Sequence, residues 1–234
     1  MSIRLSNRLT AVAGMVTPGS RLCDVGCDHA WVPVFLAEEG RIPHAIAMDV
    51  AEGPLGRARE NIRKAGLSDC IEARLSDGLT AYVPGEADSL VIAGMGGILM
   101  ASILEKEPGK TASFREIILG PQREFALLRS RLRGMHLGIT GEKLIREDGK
   151  FYPILYCVPG AAGVSAGLPQ RIEDRFGPSL LAGKDPVLPY YLDRQREIEE
   201  KILQSLPEGD RADEVRQDLA DIALITAYLK EDEP

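Results

Sequence analysis

The sequence predicts an α/β fold: a mostly parallel seven-stranded sheet that closes with an antiparallel hairpin, followed by a C-terminal α-helical hairpin. Three observations carry this. From residue 20 to 160, short apolar runs alternate with amphipathic stretches, the pattern of a parallel sheet covered by helices on both faces. The rhythm then breaks, where "HLGITGEKLIRE" (136–147) and "FYPILYCV" (151–158) are joined by "DGK". Asp-Gly between strand-like runs marks a hairpin turn. Beyond residue 160 the chain becomes glycine-rich and then helical.

The predicted parallel strands are "SRLCDV" (20–25), "HAIAMDV" (44–50), "CIEARL" (70–75), "DSLVIAG" (88–94) and "REIILG" (115–120). Each is short and bounded by Gly, Pro or charge. Helical stretches fall between them at 31–39, 54–65, 97–106 and 123–134. "PGAAGVSAGLPQ" (159–170) reads as a linker, which divides the chain into residues 1–160 and 161–234. In the second part, 189–206 places Tyr191, Ile198 and Ile202 on one stripe. Residues 212–230 place Val215, Leu219, Ile222, Thr226 and Leu229 at spacings of four and three, and "PEGD" breaks between the two. An antiparallel helical hairpin or short coiled coil follows. Packing on the main domain, dimerisation and RNA contact are all open to it, and monomer and dimer both fit.

A chain of 234 residues holds one good core plus an appendage, or two small domains. No run approaches the ~18 apolar residues of a membrane span, and the first sixteen residues lack the apolar segment of a signal peptide. The four cysteines form no Cys-x-x-Cys pair. Reduced thiols in the cytoplasm and no metal site are the expectation. The net charge is −7, yet residues 1–160 are balanced and the whole excess lies in 161–234. The first part is thus free to present a basic face. Its candidates are Arg4 and Arg8, the cluster Arg57, Arg59, Arg63 and Lys64, and the cluster Arg123, Arg129, Arg131 and Arg133. Solvated helix faces are the alternative for each cluster.

The first strand runs into "CDVGCDHAW" (23–31). A phosphate-binding turn wants Gly-x-Gly-x-x-Gly. Here only Gly26 follows that pattern, and Asp28 stands where the second glycine belongs. A carboxylate there repels a diphosphate by several kcal/mol, in order of magnitude. S-adenosylmethionine carries a sulfonium, an ammonium and a single carboxylate, and acidic groups suit its cations. The turn's candidate ligands are Asp24, Gly26, Cys27, Asp28 and His29; Asp28 also fits the N-cap of the next helix. Asp49 ends the second strand, where a carboxylate takes ribose hydroxyls. Asp77 and Gly78 follow the third strand; Asp77 is either an acceptor for the adenine amino group or a plain turn residue. "AGMGG" ends the fourth strand, so Ala93, Gly94, Met95 and Gly96 offer bare backbone to a flat base or the transferable methyl. A parallel sheet with a closing antiparallel hairpin is the arrangement of Rossmann-like class I methyltransferases.

These residues resemble a known family. "DVGCDHAWVP", "IAMDV" with "GP" soon after, "SDGL", "IAGMGG" and "REDGKFY" stand in the order and spacing of the bacterial tRNA (adenine(22)-N1)-methyltransferases, the TrmK family. The resemblance spans roughly residues 1–160 and implies a Rossmann-like domain that binds S-adenosylmethionine. It also implies a C-terminal coiled coil that helps hold tRNA, and methylation at position 22 in the D-arm. Two departures stand out: Cys27 replaces a frequent Ser, and Gly120-Pro121-Gln122 replaces Gln-Pro-Asn. Gln122 is left as a candidate amide for the adenine edge.

Adenine N1 has a free lone pair, so its methylation needs no base at the attacking atom. Orientation and exclusion of water then carry the rate. The base must be unpaired or flipped to expose N1, with Trp31, Phe151 and Tyr152 as candidate stacking partners. Asp28 and His29 are the candidate catalytic residues, with Asp28 placed to accept from the adenine N6 amine. A methyltransferase for a small molecule or protein, and a non-catalytic protein that binds S-adenosylmethionine or RNA, are the alternatives. An NAD-dependent oxidoreductase conflicts with the turn and the hairpin.

Overall fold

The computed structural model describes residues 3–230. The parallel strands are β1 (Leu22–Val25), β2 (Ala45–Asp49), β3 (Ile71–Leu75), β4 (Ser89–Ala93) and β5 (Glu116–Gly120). They are followed by the antiparallel pair β6 (Leu137–Glu147) and β7 (Lys150–Pro159). The seven strands form one sheet in the order β3-β2-β1-β4-β5-β7-β6. Every predicted strand is present; the first six are shortened by one or two residues, and the last, expected over 151–158, runs one residue further at each end. Because the order reverses between β1 and β4, a crevice opens at their carboxyl ends, the usual ligand position in such sheets.

Strand alternation assigns the two faces. Cys23, Val25, Ile46, Met48, Leu90 and Ile92 pack on one side with α4 (Gly97–Lys106) and α6 (Phe125–Gly134). Leu22, Ala45, Ala47 and Val91 pack on the other with α1 (Asn7–Met15), α2 (Trp31–Glu38) and α3 (Glu52–Lys64). Between α4 and β5 lies a single short turn of helix, α5 (Pro108–Thr111). Helix α1 was not expected from the sequence. Ser6 caps it, its hydroxyl accepting from the Leu9 amide at 3.3 Å, and Val12 and Ala13 are buried.

A third apolar core lies beyond the sheet. It joins Leu144 of β6, with Phe151 of β7 packed against it, to four helices: α7 (Gln170–Phe176), α8 (Pro178–Ala182), α9 (Leu188–Ser205) and α10 (Asp210–Lys230). Helices α9 and α10 form the expected hairpin, and Val215 and Ile222 of the predicted stripe are buried, but the rest of the inner face differs from it. Leu188, Leu192, Ala212, Val215, Ile222 and Ile225 are buried, together with Glu199 and Asp221. Tyr191, Ile198, Ile202, Leu219, Thr226 and Leu229 are only half-buried. Charge explains the difference. Arg175 of α7 pairs with Glu199 and Asp218, and Arg171 with Asp221, so ionic groups occupy helix positions that an apolar stripe otherwise fills. The glycine-rich stretch folds back on the sheet rather than leaving it, the Val164 amide donating to the Ile139 carbonyl at 2.8 Å.

Candidate active site

After β1 the backbone turns tightly. Gly26, Asp28 and Ala30 take positive φ values of 74°, 46° and 56°. The amides of Gly26 and Cys27 both donate to the Met48 carbonyl of β2, at 2.9 and 3.0 Å. The acids expected at this turn are brought together. Asp49 Oδ2 accepts from the Asp28 amide at 3.2 Å, and its Oδ1 accepts from the Ala51 amide at 3.0 Å. Asp28 does not cap α2: the N-cap is Ala30, with no side-chain cap. Its left-handed backbone instead turns the carboxylate to Arg57 Nη2, 3.0 Å away, with His29 Nε2 at 3.6 Å. The His29 ring stacks on Trp31, with centroids 5.4 Å apart, and the His29 carbonyl accepts from Asn61.

Asp24 behaves differently. It is 5% exposed, and among the described residues its carboxylate accepts no hydrogen bond. Burial first, and Asp49 second, push its pKa up to about 7. A buried acid without a donor is costly; a cation seated against it removes that cost. The observation fits a positively charged ligand at the turn and not a diphosphate. Cys27 lies in the same turn, and burial with nearby acids pushes its thiol up, so it is a compact neutral side chain there.

The loop after β4 meets this turn. A Cβ on Gly26 would lie 2.6 Å from Met95 Cε. Gly94 has φ 87°, its amide bonds the Gly120 carbonyl at 3.1 Å, and the Met95 carbonyl accepts from the Gln122 amide at 3.0 Å. Gly96 is the N-cap of α4. Gly97 donates to the Arg123 carbonyl, and Glu124 accepts from the Ile98 amide. A Cβ on Gly97 would strike the Glu124 carbonyl at 2.7 Å, so this loop is glycine for close approach. Asp77 lies beyond β3 and is held by Lys106 of α4, Oδ2 to Nζ 2.6 Å. Gly78, at φ 58°, packs on Ile103 of α4. The loop after β3 therefore folds toward α4 and the crevice.

Most side chains of the basic clusters are held by acids. Arg59 pairs with Glu52, Lys64 with Glu60, Arg131 with Glu105, Arg133 with Asp174 and Arg123 with Glu124. Arg129 is 2% exposed, bound to Glu142 at 2.8 Å and to the carbonyls of Asp174 and Arg175. The partners of Arg129, Arg131 and Arg133 are distant in sequence, so the cluster alone did not reveal them. The structure also adds Arg57, Lys106 and Glu124 to the site. No sequence signal distinguished Lys106 or Glu124; Arg57 was visible only as part of a basic run. His44 and His136 stand just before β2 and β6.

The switched, mostly parallel sheet, its antiparallel closing pair and the acid-lined turn define a methyltransferase, and residues 5–155 match the family described as "Methyltransferase domain". The tRNA (adenine(22)-N(1))-methyltransferase of Bacillus subtilis is 30% identical over 230 residues, which cover 98% of this chain and 97% of that one. The crystal structure of B. subtilis M1A22 tRNA methyltransferase TrmK matches with TM-score 0.81 at 30% identity, over 98% of this chain and 99% of the other. Streptococcus pneumoniae Sp1610, provisionally assigned as a tRNA (m1A22) methyltransferase and solved with S-adenosyl-L-methionine, matches with TM-score 0.85 at 35% identity, over 95% and 99%. The chain belongs to the tRNA (adenine(22)-N(1))-methyltransferase family.

Proposed function

We propose that this chain methylates N1 of adenine 22 in the D-arm of tRNA, with S-adenosylmethionine as donor and no metal. The observation that supports a donor of this charge is Asp24, a buried acid with no hydrogen-bond donor at the end of β1. Bound there, the donor supplies a methyl group on a positively charged sulfur. Asp24, Asp28 and Asp49 face its cationic and hydroxyl groups. Gly26, Cys27 and His29 shape the turn, and the loop Ala93–Gly96 leaves room for the methyl and the acceptor base. Asp77 and Gly78 meet the adenine of the donor, with Lys106 sharing the Asp77 carboxylate.

The acceptor's N1 lone pair needs no proton removed. What the protein contributes is alignment, and a positioned encounter offsets about 7–11 kcal/mol of barrier in favourable cases. Asp28 accepts from the N6 amine, which gains positive character as N1 is alkylated. His29, stacked on Trp31, closes the pocket beside it. Residues 161–234 form the helical part, a short coiled coil that holds tRNA on the catalytic part. A tRNA substrate places the enzyme in the cytoplasm. Among the described residues no helix is long and apolar enough to cross a membrane.

The test is incubation with labelled S-adenosylmethionine and bulk bacterial tRNA, followed by nucleoside mass spectrometry. N1-methyladenosine from position 22 is expected. Tight donor binding with no transfer to tRNA overturns the reading.

A further inference from the structure

Arg123 stands over the glycine loop of the site. A Cβ on Gly96 would lie 2.9 Å from Arg123 Nε and 3.4 Å from its Cγ, so this side chain rests against bare backbone. Two backbone bonds hold it there. The Gln122 amide donates to the Met95 carbonyl and the Gly97 amide to the Arg123 carbonyl, both at 3.0 Å. The segment 122–124 is thereby stitched to 95–97.

The charge on this segment is turned outward. Arg123 meets Glu124 through Nε at 3.0 Å, and its side chain is 77% exposed against 28% for Glu124. Glu124 faces inward, its Oε2 accepting from the Ile98 amide at 3.4 Å in the first turn of α4, where the helix dipole favours a carboxylate. Among the described residues the two terminal nitrogens of Arg123 make no hydrogen bond. Other cations at the crevice differ. Arg57 holds Asp28 and Lys106 holds Asp77, acids proposed above to meet the acceptor and the donor. The acid that holds Arg123 serves the protein alone.

The strand order gives the reach. β1, β4 and β5 are neighbours, so the loop after β5 stands two strand spacings, ~10 Å, from the turn after β1. A nucleotide whose base edge meets the donor's methyl above β1 and β4 brings its phosphate over β5. A guanidinium fork binds two phosphate oxygens at once. We propose that Arg123 holds the phosphate of the target adenosine while its base lies on Ala93–Gly96. The assignment rests on the tRNA reading above and adds a positioning residue to it: the fork fixes how far the base enters the site.

The test uses the full chain, Arg123→Gln and Arg123→Lys, with two synthetic tRNAs. One is native; the other carries a neutral methylphosphonate in place of the phosphate 5′ to adenine 22. Methylation kinetics give KM and kcat, tRNA binding against salt gives a log–log slope, and calorimetry gives affinity for S-adenosylhomocysteine. Arg123→Gln is expected to raise KM for native tRNA about tenfold, the scale of a charge-assisted hydrogen bond, and to make the slope shallower by about 0.7–0.9, the share of one phosphate contact. Its kcat, melting temperature and S-adenosylhomocysteine affinity stay at wild type, because the contact is equal in ground and transition states and lies off the donor. Arg123→Lys restores the slope but only part of KM, since it lacks the fork. The methylphosphonate costs the wild type about tenfold in KM and costs Arg123→Gln nothing further. Wild-type KM and slope in Arg123→Gln overturn the proposal. So does a methylphosphonate that costs variant and wild type alike, or a raised KM accompanied by weaker S-adenosylhomocysteine binding, the mark of a merely structural role. Wild-type protein that leaves native tRNA unmethylated overturns the reading of function instead, and the binding slopes then still judge the Arg123 contact.

Discussion

Arg57 of α3 reaches back over the active-site turn to hold Asp28, with 3.0 Å between Nη2 and Oδ1. Both side chains are half exposed, so the pair adds little to stability. Its effect is directional: it fixes a carboxylate on a left-handed backbone that no helix cap restrains. Asp28→Asn keeps the shape and removes the charge proposed to meet the acceptor's amine. It is expected to lower kcat on tRNA about tenfold or more, the scale of a charge-assisted hydrogen bond, with an unchanged melting temperature. Single-turnover kinetics and thermal melts check both halves.

With the donor's cation seated against Asp24 as proposed, donor binding is expected to depend on pH. Burial pushes the Asp24 pKa in the folded protein up to about 7, above the 3.8 of a free aspartate, so the folded protein retains a proton through that window while the unfolded chain has lost it. Stability of the free protein therefore falls as pH rises from about 4 to 7. A cation beside Asp24 lowers its pKa and expels the proton. Affinity for the donor is expected to weaken as pH falls below 7, with up to one proton released per binding event near neutrality. Calorimetry in buffers of different ionisation heat measures this. Asp24→Asn is expected to flatten the dependence and to melt above wild type at pH 8 in the free state.

The Arg129–Glu142 pair ties α6 to β6 and, through the carbonyls of Asp174 and Arg175, to α7. Both side chains are fully enclosed. Glu142→Gln leaves a buried guanidinium without its counterion, and a loss of about 3–5 kcal/mol is expected in urea unfolding. Replacing both with Met and Leu is expected to recover much of that loss, since the penalty belongs to the unpaired charge.

Gly26→Ala tests the contact between the two loops. Its φ of +74° strains any L side chain, and the new methyl would meet Met95 Cε at 2.6 Å. A loss of about 1–3 kcal/mol is expected, together with weaker donor binding as Met95 shifts. Gly26→Ala with Met95→Ala is expected to recover binding but not the backbone strain. Calorimetry and melts separate the two.

Much of the sheet was legible because each strand is a short apolar run ended by Gly, Pro or charge, and "DGK" announces the hairpin with Gly149 at φ 72°. Helix α1 was legible too: Ser6, Leu9, Val12, Ala13 and Val16 carry a cap and an apolar period. Helices α7 and α8 are short, and an apolar period has little room to show in seven and five residues. The acids of the turn could be read because strand ends set their places. Their partners could not, since Arg57, Lys106 and Glu124 arrive from helices whose relative placement only packing decides. The buried acids of the helical hairpin were invisible for the same reason: Glu199 and Asp221 read as solvent-facing until Arg175 and Arg171 are set against them.

The hairpin that completes the sheet also supplies Leu144 and Phe151 to the helical core. Cutting the chain at residue 160 would strip cover from those side chains and remove the backbone acceptors of Arg129. The fragment so made is expected to self-associate, so the sheet and the helices beyond it are inherited as one folding unit.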